Sequence, residues 1–144
     1  MKKWIKVLLI LAIIGLAGAT YMYVFVYNKS HPDYANLKPD FETNAEALFV
    51  AFKNNPQDAA STYNGKIIRL SGKLNKVEKN EGQTIAYFIL DEGMFGNEGV
   101  RINLLPEEAN KLVPSDTGKS ISIKGFCTGY NDSDVILEHG SLDY

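Results

Sequence analysis

The side chains of this sequence best suited to gripping a ligand are two tyrosines, three cations and an amide: Tyr87, Tyr130, Arg69, Lys73, Arg101 and Asn103. Aromatic rings stack on bases and sugars, and cations hold charged backbones. Catalytic chemistry is harder to assemble. The only histidines are His31 and His139, and the acids show no paired placement for general acid–base work, so the chain reads as a binding protein rather than an enzyme. Gly118-Lys119-Ser120 looks like the end of a phosphate-binding loop, but that motif needs a glycine where Val113 stands and a helix afterwards. A strand pattern follows instead. Nothing in these residues calls for a cofactor or a metal. Cys127 is the single cysteine, which excludes an internal disulfide and fits a small buried strand residue.

Charge narrows the ligand. Beyond residue 29 there are 11 basic residues against 17 acidic ones, a net charge of −6. Nonspecific affinity for phosphate backbones comes from clustered Lys and Arg, so the charge of so acidic a domain weighs against nucleic acid as its partner.

The elements that position these groups begin with an anchor. The 22 residues from Val7 to Asn28 carry no charge, and a helix rising ~1.5 Å per residue covers the ~30 Å hydrocarbon core with that length. Lys2, Lys3 and Lys6 precede it, which predicts a cytoplasmic N-terminus and an extracytoplasmic remainder. Trp4, Tyr21, Tyr23 and Tyr27 suit the two membrane interfaces. The small residues from Gly15 to Ala19 also allow a cleaved signal peptide, although the apolar run continues past them to Tyr27. The expected organisation is residues 1–29 as lysines and membrane helix, 30–42 as a proline-containing linker, and 43–144 as one domain.

Within that domain Thr43 and Glu46 have capping-box spacing, and Ala45, Leu48, Phe49 and Phe52 recur at helical intervals. Asn55 and Pro56 open a second short helix with Ala59, Ala60 and Tyr63 on its packing face. The period then changes to two. Ile68, Leu70 and Leu74 face inward opposite Arg69, Ser71 and Lys73 on a first strand ending near Val77, and Glu78 to Gln83 is a polar turn. A second strand runs from Thr84 to Leu90, a flexible loop from Asp91 to Gly99, and a third strand carries Val100, Ile102 and Leu104 inward with Arg101 and Asn103 outward. Pro106 to Leu112 is a short helix stopped by Pro114, and Lys119–Cys127 and Val135–Leu142 are the fourth and fifth strands.

Five strands in this order, with a helix between the third and fourth, are the pattern of the OB-fold, a partly open Greek-key barrel. The segment Tyr63-Asn64-Gly65-Lys66 leading to Gly72, then Lys124-Gly125-Phe126-Cys127-Thr128-Gly129-Tyr130 and Asp134-Val135-Ile136-Leu137, resembles the tRNA-anti-like family of bacterial OB domains. The resemblance runs from about Thr43 to Leu142. It implies a mainly β, five-stranded barrel with a preceding helix, in a group whose similar members are mostly exported or membrane-attached. OB-folds usually take ligands on strands two and three, where Tyr87, Arg101 and Asn103 fall, with Arg69, Lys73 and Tyr130 as further candidates. His139 has a separate parallel: the membrane-anchored haem chaperone of cytochrome c maturation is also an OB-fold with a C-terminal histidine and a nearby tyrosine. Four residues separate His139 from Tyr144, where that family has three. The expected function is a membrane-tethered, extracytoplasmic binding module for a protein, peptide or envelope glycan, with nucleic-acid binding and haem handling through His139 as alternatives.

Overall fold

The computed structural model describes residues 2–27 and 32–143, so His31, Tyr144 and the last residue of the expected membrane span lie outside the described residues. The chain divides into two compact units, Met1–Pro32 and Asp33–Tyr144.

The first unit is α1, Lys2–Met22, continued by a five-residue π-helical stretch, Tyr23–Tyr27. Every described side chain on it is exposed, and its length and composition are sufficient to cross a membrane. Tyr21 and Phe25 stack with ring centroids 4.8 Å apart.

The second unit is a seven-stranded sheet with two short helices: β1 Phe41–Asn44, α2 Ala45–Asn54, α3 Pro56–Tyr63, β2 Ile67–Lys73, β3 Lys76–Asn80, β4 Gln83–Gly93, β5 Gly96–Leu104, β6 Ser120–Tyr130 and β7 Asp134–Leu142. Strand order across the sheet is β1-β2-β6-β7-β5-β4-β3, with β1–β2 and β5–β7 parallel and every other pair antiparallel.

This corrects the five-stranded barrel expected from the sequence. The expected first strand is broken at Leu74 and Asn75, where the Leu74 amide donates to Lys119 O and the Asn75 amide to Tyr87 O. The backbone thereby changes partner from β6 to β4, giving two strands, β2 and β3. No ladder joins these two, so the sheet is not closed as a barrel. The short β1 supplies the seventh strand.

The expected loop from Asp91 to Gly99 is also largely strand. Asp91 stands opposite Glu98 in the β4–β5 register, an arrangement of like charges that ordinarily opposes pairing. Lys53 at the end of α2 bonds both carboxylates, reaching Glu98 Oε2 at 2.9 Å, and turns the repulsion into a bridge. The expected helix from Pro106 to Leu112 is turn, followed by a 3-10 turn at Pro114–Asp116. Seven residues between two prolines offer too few helical hydrogen bonds to offset nucleation.

The helices form where the periodicity places them. Asn44, not Thr43, caps α2, its side-chain oxygen accepting from the Ala47 amide at 2.7 Å, and Asn55 caps α3 in the same way with Pro56 following. Ala45, Leu48, Phe49 and Phe52 of α2 are buried. They meet the inner face of the sheet: Ile68, Leu70, Ala86, Phe88, Val100, Ile102, Ile123, Cys127, Val135 and Leu137.

Residues 33–40, expected as linker, lie within the second unit and pack on the sheet. The Tyr34 ring lies flat on His139, centroids 4.1 Å apart and planes 3° from parallel, and also meets Phe126. Lys124 Nζ donates to Ala35 O at 2.7 Å, and the Ile67 amide donates to Asp40 Oδ2 at 2.8 Å. His139 presents its ring from a left-handed backbone conformation, φ +55°, at a bulge where β7 has one residue more than β5 and β6. Gly140 follows because there is no room for a Cβ, which would lie 2.7 Å from Ile102 Cγ2.

Candidate functional site

Strand alternation sends every second residue of β3, β4, β5 and β7 to the outer face, and register aligns four of them. Lys76, Tyr87, Arg101 and Ile136 form one row across β3, β4, β5 and β7, and Glu78, Ile85 and Asn103 form the next. The Lys76 ammonium sits 5.5 Å from the centre of the Tyr87 ring, a cation–π contact, and pairs with Glu78 at 3.3 Å. Arg101 flanks the ring from the other side, and among the described residues it has no ion pair.

The electrostatics of the face follow from these neighbours. Burial, and then the Glu78 carboxylate, push the Tyr87 phenol above its ordinary pKa and keep it a neutral hydrogen-bonding group. The Asn80 side chain, and then Lys76, hold Glu78 below the usual carboxylate range. Beyond Arg101, Asp134 accepts from the Gly99 amide at 3.1 Å, and burial raises its pKa. Asn103 Oδ1 is buried without a hydrogen-bond partner, an acceptor a ligand donor or a water would satisfy.

The expected site residues therefore divide. Tyr87, Arg101 and Asn103 come together on this face. Arg69 does not join them: it is clamped between Glu42 of β1 and Asp143, bonded to both, and ties the edge strand to the C-terminal segment. Lys73 lies at the end of β2 beside a cavity of about 300 Å³ lined also by Phe88 and Leu90. Tyr130 packs against Phe52, centroids 5.8 Å apart, and lines a separate cavity of about 430 Å³ with Pro56, Asn64 and Gly129. Lys76, Glu78, Ile85 and Ile136 were missed, because only the register shows that they adjoin Tyr87, Arg101 and Asn103.

Cys127 is buried, its Sγ 3.8 Å from Asn64 Oδ1, and burial pushes its thiol up to about 11. That environment keeps it protonated and unreactive. Among the described residues no group of three His, Cys, Asp or Glu side chains gathers to hold a metal.

The model of the tRNA-anti-like family matches residues 1–141. The chain belongs to the tRNA-anti-like family. A solved structure from Klebsiella pneumoniae subsp. pneumoniae, provisionally named a nucleic acid-binding lipoprotein, is similar with a TM-score of 0.55 and 18% identity, covering 72% of this chain and 92% of that one. At that identity the likeness is one of fold. No protein of curated function matches the chain. This tRNA-anti-like chain is thus a mainly β domain of OB-like kinship, carried behind an apolar N-terminal helix.

Proposed function

We propose that this protein is a non-enzymatic binding module, tethered to the membrane by α1 and exposed outside the cytoplasm, that holds a protein, peptide or envelope glycan on the outer face of β3, β4, β5 and β7. The observation that carries this reading is the row Lys76–Tyr87–Arg101, an aromatic ring between two cations with a partnerless amide oxygen on Asn103 in the next row. Such a face combines stacking, charge and a fixed acceptor, which suits recognition of an extended polar chain. Lys2, Lys3 and Lys6 at the start of α1, ahead of its uncharged run, support the extracytoplasmic orientation.

Nucleic-acid binding is the second reading, favoured by the provisional name of the Klebsiella structure. The net charge of −6 beyond residue 29 weighs against it.

The test uses the full chain in lipid nanodiscs, titrated against labelled unstructured peptides, soluble peptidoglycan fragments, and single-stranded DNA and RNA. Binding of a peptide or glycan that is lost in Tyr87→Ala and Arg101→Ala is the expected result. Micromolar nucleic-acid binding with a steep salt dependence would promote the second reading. Turnover of a broad hydrolase panel, abolished by Arg101→Ala, would refute the non-enzymatic assignment. Orientation is checked in cells with a permeabilised outer layer, where protease should remove a C-terminal tag and spare an N-terminal one.

A further inference from the structure

The row on the outer face does not stop at Ile136. In the β6–β7 register Ile136 stands opposite Gly129, so the next place in the row carries no side chain. Both residues line the cavity of about 430 Å³ that opens there beside α3, with Phe52 and Tyr130 as its aromatic walls. Of the residues lining it Asp132 alone is charged, and among the described residues it has no ion pair. Its place is fixed. Asp132 takes φ +70° in the β6–β7 turn, which the Asn131 side-chain oxygen closes by accepting the Ser133 amide at 3.1 Å and the Asp134 amide at 2.7 Å. The field around Tyr130 is negative: burial, then Glu98, and further Asp132 and Asp134, push its phenol above the ordinary value. Lys53 opposes them, and it is bonded to Asp91 and Glu98.

We propose that this cavity takes a lysine or arginine side chain of an extended peptide, whose acidic residue two positions away meets Arg101. The site rests on the outer-face reading above and narrows its ligand to a peptide. Chemistry selects that class. An aliphatic stem ending in a cation matches apolar and aromatic walls that end in one carboxylate, whereas a sugar ring has no such stem. Charge along the row runs from cation at Arg101 to anion at Asp132, so the complementary chain runs from acid to base. Spacing agrees. From Arg101 across Ile136 to Gly129 is two strand spacings, about 10 Å. Alternate side chains of an extended peptide point the same way about 7 Å apart, and two long ones cover that span. The unpartnered Asn103 Oδ1 beside Arg101 is placed to accept an amide of the same peptide.

The experiment offers the full chain in lipid nanodiscs short unstructured peptide libraries with a fixed centre: Glu-Ala-Lys, Glu-Ala-norleucine or Gln-Ala-Lys, each also in the reverse order. Captured peptides are counted by mass spectrometry against empty nanodiscs. Norleucine keeps the stem and removes the charge. Lysine should be enriched over norleucine about three- to tenfold. That preference should vanish in Asp132→Asn, a substitution the left-handed backbone accepts. Glutamate should be preferred to glutamine by the unaltered chain and not by Arg101→Ala. If no library is captured above the blank, or capture is unchanged in Tyr87→Ala and Arg101→Ala, the outer-face reading fails and the cavity's role fails with it. Capture that depends on Arg101 but not on lysine over norleucine overturns the cavity proposal alone, as does a lysine preference that persists in Asp132→Asn.

Discussion

The two faces of the sheet obey different rules. On the inner face Ile68, Leu70, Ala86, Ile102, Ile123 and Leu137 are wholly buried beneath Leu48 and Phe52, and every one of them is apolar. On the outer face Tyr87, Arg101 and Asn103 are half-buried, and Asn103 keeps an unsatisfied oxygen. The first arrangement is complete within the chain, while the second leaves Asn103 Oδ1 without a hydrogen-bond partner among the described residues. Under the binding function proposed above, stability and recognition draw on alternate residues of the same strands, so substitutions one position apart should act on different properties.

The strongest way to break that division is from within the core. Phe52→Ala should cost about 3–5 kcal/mol, because Phe52 is fully buried and touches the Tyr63 and Tyr130 rings. Urea unfolding of the chain measures it. Next comes Gly140→Ala, expected to destabilise by about 1–3 kcal/mol, since the new methyl meets Ile102 and Leu104 and the backbone of Asn103. Crowding here should register in unfolding and leave ligand contacts on Tyr87 in place.

The outer face supplies the contrast. Tyr87→Ala and Arg101→Ala should each change stability by less than about 1 kcal/mol, the range of a cross-strand pair, while binding at the face falls. A loss of stability as large as that of Phe52→Ala would erase the distinction between the faces.

The smallest effect is local. Lys53 holds Asp91 below the usual carboxylate range, and Asp91 and Glu98 in turn raise the lysine. A depressed carboxylate stabilises its bridge above the ordinary carboxylate pKa, and the contribution is lost as pH falls through the depressed value. Amide protection across Asp91–Glu98, corrected for intrinsic exchange, should therefore decline in acid. In Lys53→Met it should be weak throughout and lose that dependence, with the core unaffected.

Much of this fold was legible because burial repeats at fixed periods. Ala45, Leu48, Phe49 and Phe52 at helical spacing, and Val100, Ile102 and Leu104 at strand spacing, appear where those periods place them. What escaped depends on contacts distant in sequence. The acids and glycines from Asp91 to Gly99 read as a loop, since their pairing depends on Lys53, 38 and 45 residues away from its two partners. Arg69 looked free for a ligand because its partner Asp143 is 74 residues further on. Tyr87, Arg101 and Asn103 could be found by alternation alone, whereas Lys76 and Glu78 adjoin them only through the β3–β4 register.

The position of β7 sets the order in which the domain can form. It is the last strand along the chain, yet it lies inside the sheet, with β6 on one side and β5 on the other. Until Asp134–Leu142 arrives, those two strands have no common neighbour, and Val135 and Leu137 are missing from the core. Folding must therefore wait for the whole domain to be delivered, and its nucleus has to close contacts of long sequence separation, which places it among slow-folding β topologies. During that interval the apolar faces of β5 and β6 are open to aggregation, and a truncation within β7 should leave a collapsed chain rather than a smaller stable domain.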